Sequence, residues 1–596
     1  MHTFIDNIIT FSLRNKFFIF FCTTIAVIAG ITSFIHTPID AFPDVTNTKV
    51  TIITQWPGRS AEEIEKFITI PIEIAMNPVQ KKTDIRSTTL FGLSVINVMF
   101  EDKVDDFFAR QQVYNLLNDA DLPEGVTPEV QPLYGPTGEI FRYTLRSDKR
   151  SVRELKTLQD WVIERKLRAV PGVADIVSFG GEVKTFEVSV NPNQLISYGV
   201  TTLELYDAIA KSNINVGGDV ITKSSQAYVV RGIGLINDVK EIENIVVKNI
   251  NGTPILVKHL ATVHESSLPR LGQVGRMEED DVVQGIVVMR KGENPGEVIA
   301  ALKDKIKDIQ QNALPEDVRI VSFYDRENLV DLAVKTVTHN LAEGILLVTF
   351  IVLIFMADWR TTVIVSIIIP LALLFAFICL RAMGMSANLL SMGAIDFGIL
   401  VDGAIVMMET VLKKRERHPD ELLTEESILR RTTEVARPIF FSTLIIITAY
   451  LPLFAFEHIE KKLFTPMAYT VGYALLGALA VALFLIPGLA FYAYRKPRKI
   501  YHNRWLEKLG DIYHKQIIAL LDKPKRVLMP LLVILVAAGV LSYTVGKDFL
   551  PPLDEGAIWI QVQLPPGISI EKSKEMGAEL RKAVKQFEEV SYVMTQ

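Results

Sequence analysis

The feature that most constrains the fold is a set of seven apolar stretches, each about as long as a helix that crosses a hydrocarbon core about 30 Å thick. Their approximate ranges are 17–35, 338–357, 361–380, 388–411, 438–456, 465–493 and 527–545. The segments between them have ordinary soluble composition, so only 49% of the 596 residues are hydrophobic. The sequence therefore predicts a polytopic α-helical membrane protein. Its first stretch is interpreted as a retained helix because no clear small-residue cleavage site accompanies it.

The distribution of basic residues predicts how these helices cross the membrane, because short cytoplasmic loops are enriched in Lys and Arg. Arg14 and Lys16 precede the first stretch. Under strict alternation, the basic clusters at 413–437, 495–508 and 523–526 fall on the same side as these two residues. The amino terminus is therefore predicted to be cytoplasmic, and the long segment between the first two stretches is predicted to lie outside the cytoplasm.

That long segment alternates between strand and helix patterns. "KVTIITQWPG" alternates as a strand does, and Ser60 with Glu63 then forms a capping box for the next helix. "LSVINVMFE" predicts a second strand, and "VDDFFARQQVYNLLND" predicts a second helix. The pattern returns with "FRYTLRS" and a helix capped by Ser151 and Glu154. This repetition predicts a large extracytoplasmic α+β domain made of ferredoxin-like split βαβ units.

A long internal repeat indicates the architecture of the whole chain. After the first apolar stretch the chain reads "IDAFPDVTNTKVTIITQWPGRSAEEIEKFI", and after the seventh it reads "KDFLPPLDEGAIWIQVQLPPGISIEKSKEM". Each copy has a Pro/Asp turn, a strand, and then Pro-Gly-x-Ser-x-Glu opening a helix, at 57–62 and 566–571. The second copy is too short to close its own core. We interpret the sequence as the first half of an internal duplication plus the start of the second half.

Several stretches resemble one family of transporters. Six-helix membrane halves with a large α/β insertion after the first helix are similar to the resistance–nodulation–division (RND) exporters. "PIDAFPDVTN", "LQDWVIERKLRAVPGVADI", "YDRENLVDLAVKTVTHNL" and "DFGILVDGAIVMME" resemble the heavy-metal branch, and are most similar to cobalt–zinc–cadmium exporters. Multidrug members typically carry two adjacent Asp in the fourth helix, whereas here Gly403 follows Asp402. The resemblance implies the RND fold and proton-driven efflux of divalent cations such as Zn, Co, Cd or Ni.

Together these patterns predict six segments along the chain. They are an amphipathic amino terminus with the first membrane helix at 1–37, a porter and docking domain at 38–335, membrane helices 2–6 at 336–500, a cytoplasmic connector at 501–526, a seventh membrane helix at 527–546, and the truncated start of a second porter repeat at 547–596.

Three acids lie in the fourth apolar stretch, within "AIDFGILVDGAIVMMET". A charge at the centre of a bilayer costs on the order of 3 kcal/mol, so Asp396, Asp402 and Glu409 are expected to face other helices or water. In a continuous helix Asp402 and Glu409 are about 20° apart around the axis, whereas Asp396 is about 120° from Asp402. The resemblance implies that all three form a proton relay, with Asp402 at its centre. The alternative is a set of buried ion pairs that fixes helix packing.

The metal ligands are implied by the resemblance, because no motif in the sequence supplies them. Glu139 and Asp175 look similar to the carboxylates that line the substrate cleft of zinc-exporting relatives; the alternative is a solvated strand edge and a turn residue. No H-x-H, H-x3-H or C-x-x-C pattern occurs, so a closed structural zinc site is not expected. Copper and silver relatives place a Met in the strand after the seventh helix. This chain has Gln561 there, which favours harder divalent ions.

Other functions stay open at this point. Cu(I) or Ag(I) efflux and multidrug RND export are alternatives within the family, and a non-transporting membrane sensor or protein-translocation partner is an alternative of another class. By the same resemblance, an enzyme, a resident cofactor and nucleic-acid binding are not expected. An ATP-driven pump is not expected either, because no phosphate-loop motif occurs. By resemblance, the protein is a homotrimer in the bacterial inner membrane, docked with a periplasmic adaptor (membrane fusion protein) and an outer-membrane channel.

Overall fold

The structure is a computed structural model of the chain. It describes residues 2–40, 45–132, 134–135, 138–250, 252–270, 272–393, 395–418, 420, 423–496, 504–521, 523, 525–546, 556–565 and 567–596. The chain forms two compact units. The first comprises Met1–Gly138, Met289–Ile299 and Arg326–Ile560, and the second comprises Glu139–Val288, Ala300–Asp325 and Gln561–Gln596.

Among the described residues, six helical segments are long and apolar enough to cross a membrane. They lie at Lys16–His36, Glu327–Met356, Trp359–Ala382, Leu389–Arg417, Glu425–Ala455 and His458–Tyr494. These segments confirm the first six predicted stretches. The seventh coincides with a shorter apolar helix, Leu528–Thr544. Two segments begin well before the predicted stretches, at Glu327 and Glu425, because the helix continues into polar sequence that the apolar pattern does not detect.

Four of the six segments consist of shorter helical pieces. These are Trp359–Ser366 and Ile368–Ala382; Leu389–Gly393 and Phe397–Arg417; Glu425–Tyr450 and Leu451–Ala455; and His458–Ala480, Val481–Leu485 and Ile486–Tyr494. We call Phe397–Arg417 the acidic helix. Its buried apolar residues join those of the neighbouring helices in one continuous core. Two further helices, His2–Arg14 and Arg504–Leu521, precede the first and the last apolar helices.

The first unit also contains a ferredoxin-like module at residues 49–130, which we call the first module. Its four-stranded antiparallel sheet has the order Lys82–Leu90, Leu93–Phe100, Lys49–Gln55 and Glu129–Val130. Its helices are Ala61–Ile64, Glu65–Thr69 and Ile70–Met76, which run on from one another, and Asp106–Leu117. Ser60 and Glu63 form the predicted capping box. The strand order confirms the split βαβ prediction. A parallel pair, Ile39–Asp40 with Ala387–Asn388, lies in the same unit.

A second module with the same arrangement is formed by residues 139–179 and 283–325, most of which belong to the second unit. Its sheet has the order Arg319–Asp325, Glu139–Arg146, Val283–Met289 and Val173–Phe179. Its first helix consists of Val152–Leu158, Gln159–Ile163 and Glu164–Arg168, and its second is Pro295–Asn312. Ser151 and Glu154 form the predicted capping box. The strands therefore follow the same order of connection as those of the first module.

An insertion separates the second and third strands of the second module. Its antiparallel pairs are Lys184–Val190 with Ala261–Ser267, Val216–Lys223 with Gln226–Gly232, and Val246–Ile250 with Thr253–Leu256. Its helices are Pro192–Tyr198, Thr202–Ser212, Val239–Glu243 and the short 3-10 turn Val257–His259. These elements enclose a small core of their own.

The second copy of the internal repeat is only partly formed. Ser569 caps the helix Ile570–Val584, as Ser60 caps its counterpart, and Met594–Thr595 pairs with Gly275–Arg276. The strand expected in "AIWIQVQL" is not formed, and its Ile558 and Trp559 are exposed. The strand prediction is wrong, because no described strand pairs with this segment. The predicted Pro/Asp turns at 41–44 and 550–554, and Pro566, lie outside the described residues.

Candidate functional site in the acidic helix

Asp396 lies at the start of the acidic helix, not within it. The preceding helix ends at Gly393, and Asp396 has an extended backbone (φ −88°, ψ 108°). Its Oδ1 accepts a hydrogen bond from the backbone N–H of Gly398 at 2.8 Å, so Asp396 is the N-cap. A carboxylate is favourable there because the N-terminus of a helix carries partial positive charge. The angle of about 120° between Asp396 and Asp402 was therefore wrong, since it assumed one continuous helix.

Asp402 and Glu409 lie on the face of the acidic helix that the described residues leave largely uncovered. Asp402 is exposed and Glu409 is half-exposed. The buried residues of the helix are Leu400, Val401, Ala404, Met407, Met408, Val411, Leu412 and Arg415. At about 100° per residue, every one of them lies at least about 80° from Asp402 around the axis. We call the uncovered face that holds Asp402, Glu409 and Lys413 the acidic stripe.

The two acids of this stripe differ in their surroundings. Glu409 Oε1 lies 2.6 Å from Lys413 Nζ, one helical turn further on. Asp402 has no hydrogen bond or ion pair with any residue in the part of the chain that the structure describes. An unpaired carboxylate in an apolar helix is expensive in lipid, which makes a polar partner or water at this face necessary.

A small cavity borders Asp396 at the amino-terminal end of the acidic helix. Its volume is ≈ 10 Å³, and its walls are apolar side chains together with Asp396 and Tyr450. A cavity of that size has room for about one water molecule. Asp396 itself is exposed, so the described residues leave this end of the acidic helix uncovered.

The two predicted metal ligands lie on different strands of the second module. Glu139 begins the strand Glu139–Arg146 and forms an ion pair with Arg142. Asp175 lies in Val173–Phe179, where it accepts a hydrogen bond from the backbone N–H of Ile176 at 2.7 Å and pairs with Arg168 at 2.5 Å. Within the described residues, no three His, Cys, Asp or Glu side chains are grouped closely enough to hold a metal ion. A cation bound by either carboxylate would have to compete with an arginine.

Glu164 is a notable acid that the sequence analysis missed. Burial raises the pKa of Glu164, Arg168 opposes this effect, and the carboxylates of Asp160 and Asp175 raise the pKa further. The local signal was available, because Asp160, Glu164 and Arg168 are spaced four residues apart on one helix face. Its burial depends on how the helix packs on the sheet, which the spacing does not reveal. A raised carboxyl pKa beside Asp175 makes this region a candidate functional site.

The apolar helical bundle with its acidic helix, joined in one chain to repeated ferredoxin-like modules, is the architecture of a multi-pass membrane protein. The chain belongs to the AcrB/AcrD/AcrF family, which matches residues 8–596. This membership confirms the RND fold.

Individual relatives agree with the heavy-metal branch. The chain is 35% identical over 609 residues to the cobalt-zinc-cadmium resistance protein CzcA of Cupriavidus metallidurans, covering 99% of this chain and 57% of that protein. It is 34% identical over 610 residues to the cation efflux system protein CusA of Escherichia coli K12, covering 99% and 58%. A crystal structure of a heavy metal efflux pump superposes with a TM-score of 0.87 at 40% identity, covering 98% of this chain and 57% of that one. The chain thus spans little more than half the length of these relatives.

Proposed function

We propose that this chain is part of a proton-driven exporter of divalent metal cations such as Zn, Co, Cd or Ni. The observation that carries the proposal is the acidic stripe, in which Asp402 lies unpaired by any described residue on an apolar helix. Ionisable groups within membrane helices are retained chiefly for ion or proton transport, because a purely structural role rarely offsets their cost. Membership of a transporter family supports the same conclusion.

In this mechanism Asp402 is the central carboxylate of the relay. It takes up a proton from one side of the membrane and releases it to the other, so the Asp402 side chain is charged in only one of its two states. Each proton that crosses about 100 mV contributes about 2.3 kcal/mol, enough to bias a two-state transporter. Asp396 is proposed to exchange protons with water at its end of the helix, and Glu409 to extend the path past Asp402.

Replacement of Asp402 by Asn tests the relay, because it keeps the shape of the side chain and removes its titratable group. We expect Asp402→Asn, made in the gene at its native locus, to abolish zinc tolerance and zinc-driven proton flux in membrane vesicles at unchanged protein abundance. Asp148→Asn is the control, because Asp148 is an exposed acid outside the apolar helices. Proton-coupled zinc export that persists in Asp402→Asn would rule out the relay.

Glu139 and Asp175 are proposed to bind the metal ion transiently in the second module. Carboxylates suit divalent cations that must be released again, and the adjacent Arg142 and Arg168 keep binding weak by competing for the same oxygens. We expect Glu139→Gln and Asp175→Asn to raise the zinc concentration needed for half-maximal export while proton coupling is retained. An unchanged zinc dependence in both variants would remove these residues from the pathway.

The identity of the metal and the assembly are also part of the proposal. The identities of 35% to CzcA and 34% to CusA do not separate one metal from another, so Cu(I) or Ag(I) is the second candidate. The oxygen-rich candidate ligands favour the harder divalent ions. We propose a homotrimer in the bacterial inner membrane, with the two modules in the periplasm and docked to an adaptor and an outer-membrane channel. Zinc and silver export assays beside a dye-efflux assay separate the metal and multidrug alternatives, and a sensor would export none of them.

A further inference from the structure

A second polar cluster lies at the carboxyl-terminal end of the acidic helix, and it is buried. Asp358, Thr361, Arg415 and Tyr494 are each no more than 5% exposed. Arginine is almost never fully buried unless its charge is compensated, and Arg415 is 0% exposed. The sequence places Arg415 in the run "KKRER", which is typical of a solvated cytoplasmic loop. Its burial therefore calls for an explanation from its contacts.

Arg415 joins the carboxyl-terminal ends of two helices. Its Nη2 donates to the backbone carbonyl of Tyr494, the last residue of Ile486–Tyr494. Its Nη1 donates to the carbonyl of His418, which follows the acidic helix, at 3.4 Å. Carbonyl groups at helix ends lack intrahelical partners and carry partial negative charge, so a guanidinium there is favourable.

Tyr494 extends the connection to a third helix. Its hydroxyl donates to Oδ2 of Asp358, the N-cap of Trp359–Ser366. The same carboxylate oxygen accepts from Thr361 N at 3.0 Å and from Thr361 Oγ1 at 3.2 Å. Arg360 Nη1 adds a bond to the carbonyl of Ala493 at 3.1 Å. The cluster thus links the start of one helix to the ends of two others.

The cluster holds the acidic helix from the side opposite to the acidic stripe. Arg415 follows Asp402 by thirteen residues, which places it about 20 Å along the axis and about 140° around it. We propose that Asp358, Arg415 and Tyr494 are positioning residues for Asp402. They fix the rotation of the acidic helix and its position along its own axis, so that the Asp402 carboxylate meets its proton path. This inference rests on the proposed proton relay.

The test removes one hydroxyl from the cluster. Tyr494→Phe deletes the donor to Asp358 but keeps the backbone carbonyl that Arg415 binds. We expect maximal proton-driven zinc export to fall about tenfold, as for the loss of a hydrogen bond to a charged group. We also expect the pH of half-maximal export to move by about one unit, while the zinc concentration for half-maximal export stays unchanged. The variant is made in the gene at its native locus and assayed in membrane vesicles at matched protein abundance.

Tyr143→Phe is the matched control. Tyr143 is equally buried, and its hydroxyl donates to Gln159 Oε1 at 3.0 Å in the second module. This variant is expected to keep the wild-type pH profile. Rescue is tested at Arg415, where Arg415→Lys keeps the charge and should export more zinc than Arg415→Gln. If the Tyr494→Phe protein does not accumulate, Thr361→Val is tested instead, because it removes another hydroxyl donor to Asp358. The positioning role then requires Thr361→Val to shift the pH profile.

Two results overturn the positioning role. One is an unchanged pH profile in the accumulated Tyr494→Phe or Thr361→Val protein, and the other is equal loss of export in Arg415→Lys and Arg415→Gln. The Asp402→Asn variant separates this failure from failure of the relay. If Asp402→Asn abolishes export while Tyr494→Phe keeps the normal pH profile, only the positioning proposal fails; if Asp402→Asn exports normally, the relay itself fails.

Discussion

Glu164 shows how burial at a single residue makes stability depend on pH. Its side chain is 22% exposed and forms an ion pair with Arg168 at 2.9 Å. Burial is nevertheless the largest influence, and it raises the pKa of Glu164 in the folded protein above its value in the unfolded chain. A glutamate with a raised folded pKa contributes stability below its unfolded pKa, near pH 4.3, and that contribution is lost as the pH rises through the folded pKa.

We therefore expect Glu164→Gln to stabilise the second module at pH 7 and to change its stability little at about pH 3.5, where the native group is protonated. The measurement is amide hydrogen exchange in the helix that contains residue 164, at both pH values. Glu588→Gln, at an exposed position, is the control. An equal gain in protection at both pH values would show that burial of the charge is not the cause.

Single residues also show where sequence reasoning stops. The run "KKRER" is basic, but only the tertiary structure shows that Arg415 turns inward and binds the carbonyl of Tyr494, 79 residues further along the chain. The apolar neighbours of Asp396 predict a continuous helix through it, whereas the helix begins one residue later. The contact of Arg415 with the Tyr494 carbonyl and that of Asp396 with the Gly398 amide both depend on where the backbone lies in space, which a pattern of apolar residues does not show.

At the scale of helices and strands, prediction succeeded where the determining interactions are local. The capping boxes at Ser60 and Ser151 were readable because both partners lie within four residues. The strand order of both modules followed from the β-α-β repetition. The prediction of a strand in "AIWIQVQL" is wrong, because a strand needs neighbouring strands to stabilise it and its own sequence is not enough.

The capping box of the second module gives a prediction at this scale. Ser151 Oγ accepts from Glu154 N at 3.3 Å, and Glu154 Oε2 accepts from Ser151 N at 2.9 Å. We expect Ser151→Ala to destabilise the start of the helix Val152–Leu158 by about 1 kcal/mol, because the Glu154 amide loses its acceptor. Glu154→Gln, which keeps a capping carbonyl, should cost clearly less. Hydrogen exchange of the first-turn amides measures the difference, and equal losses in the two variants would contradict it.

At the scale of the whole molecule, the acidic stripe is exposed in a chain that spans only part of its relatives' length. The chain spans 57% of CzcA, and its bundle leaves Asp402 exposed. In transporters built from internal repeats, substrate and ion sites lie near the bilayer midplane at the interface between the repeats. The sequence predicted the duplication from its repeat, but it cannot show which groups face Asp402.

In the second unit, the carboxyl-terminal segment packs against residues about 300 positions earlier in the chain. Arg581 makes several of the polar contacts between them. The guanidinium is 2% exposed; Nε donates to the Met277 carbonyl at 2.9 Å, Nη1 to Thr595 Oγ1 at 2.6 Å, and Nη2 to Asp280. Gly275 makes room for it, since a Cβ there would lie 2.0 Å from Nη1. The carboxyl-terminal helix and strand are thereby tied to the turn at 275–281.

We expect Arg581→Ala to destabilise this contact by about 2 kcal/mol, because several hydrogen bonds are lost while Asp280 is exposed enough to be solvated. Arg581→Lys should recover only part of this, since an ammonium cannot reach three separated acceptors in the way a planar guanidinium does. The reporter is hydrogen exchange at the Met277 amide, which donates to the Val593 carbonyl at 2.9 Å. Lys582→Ala, one residue further and exposed, controls for helix propensity. Wild-type protection of Met277 in Arg581→Ala would mean that apolar contacts alone hold the segment in place.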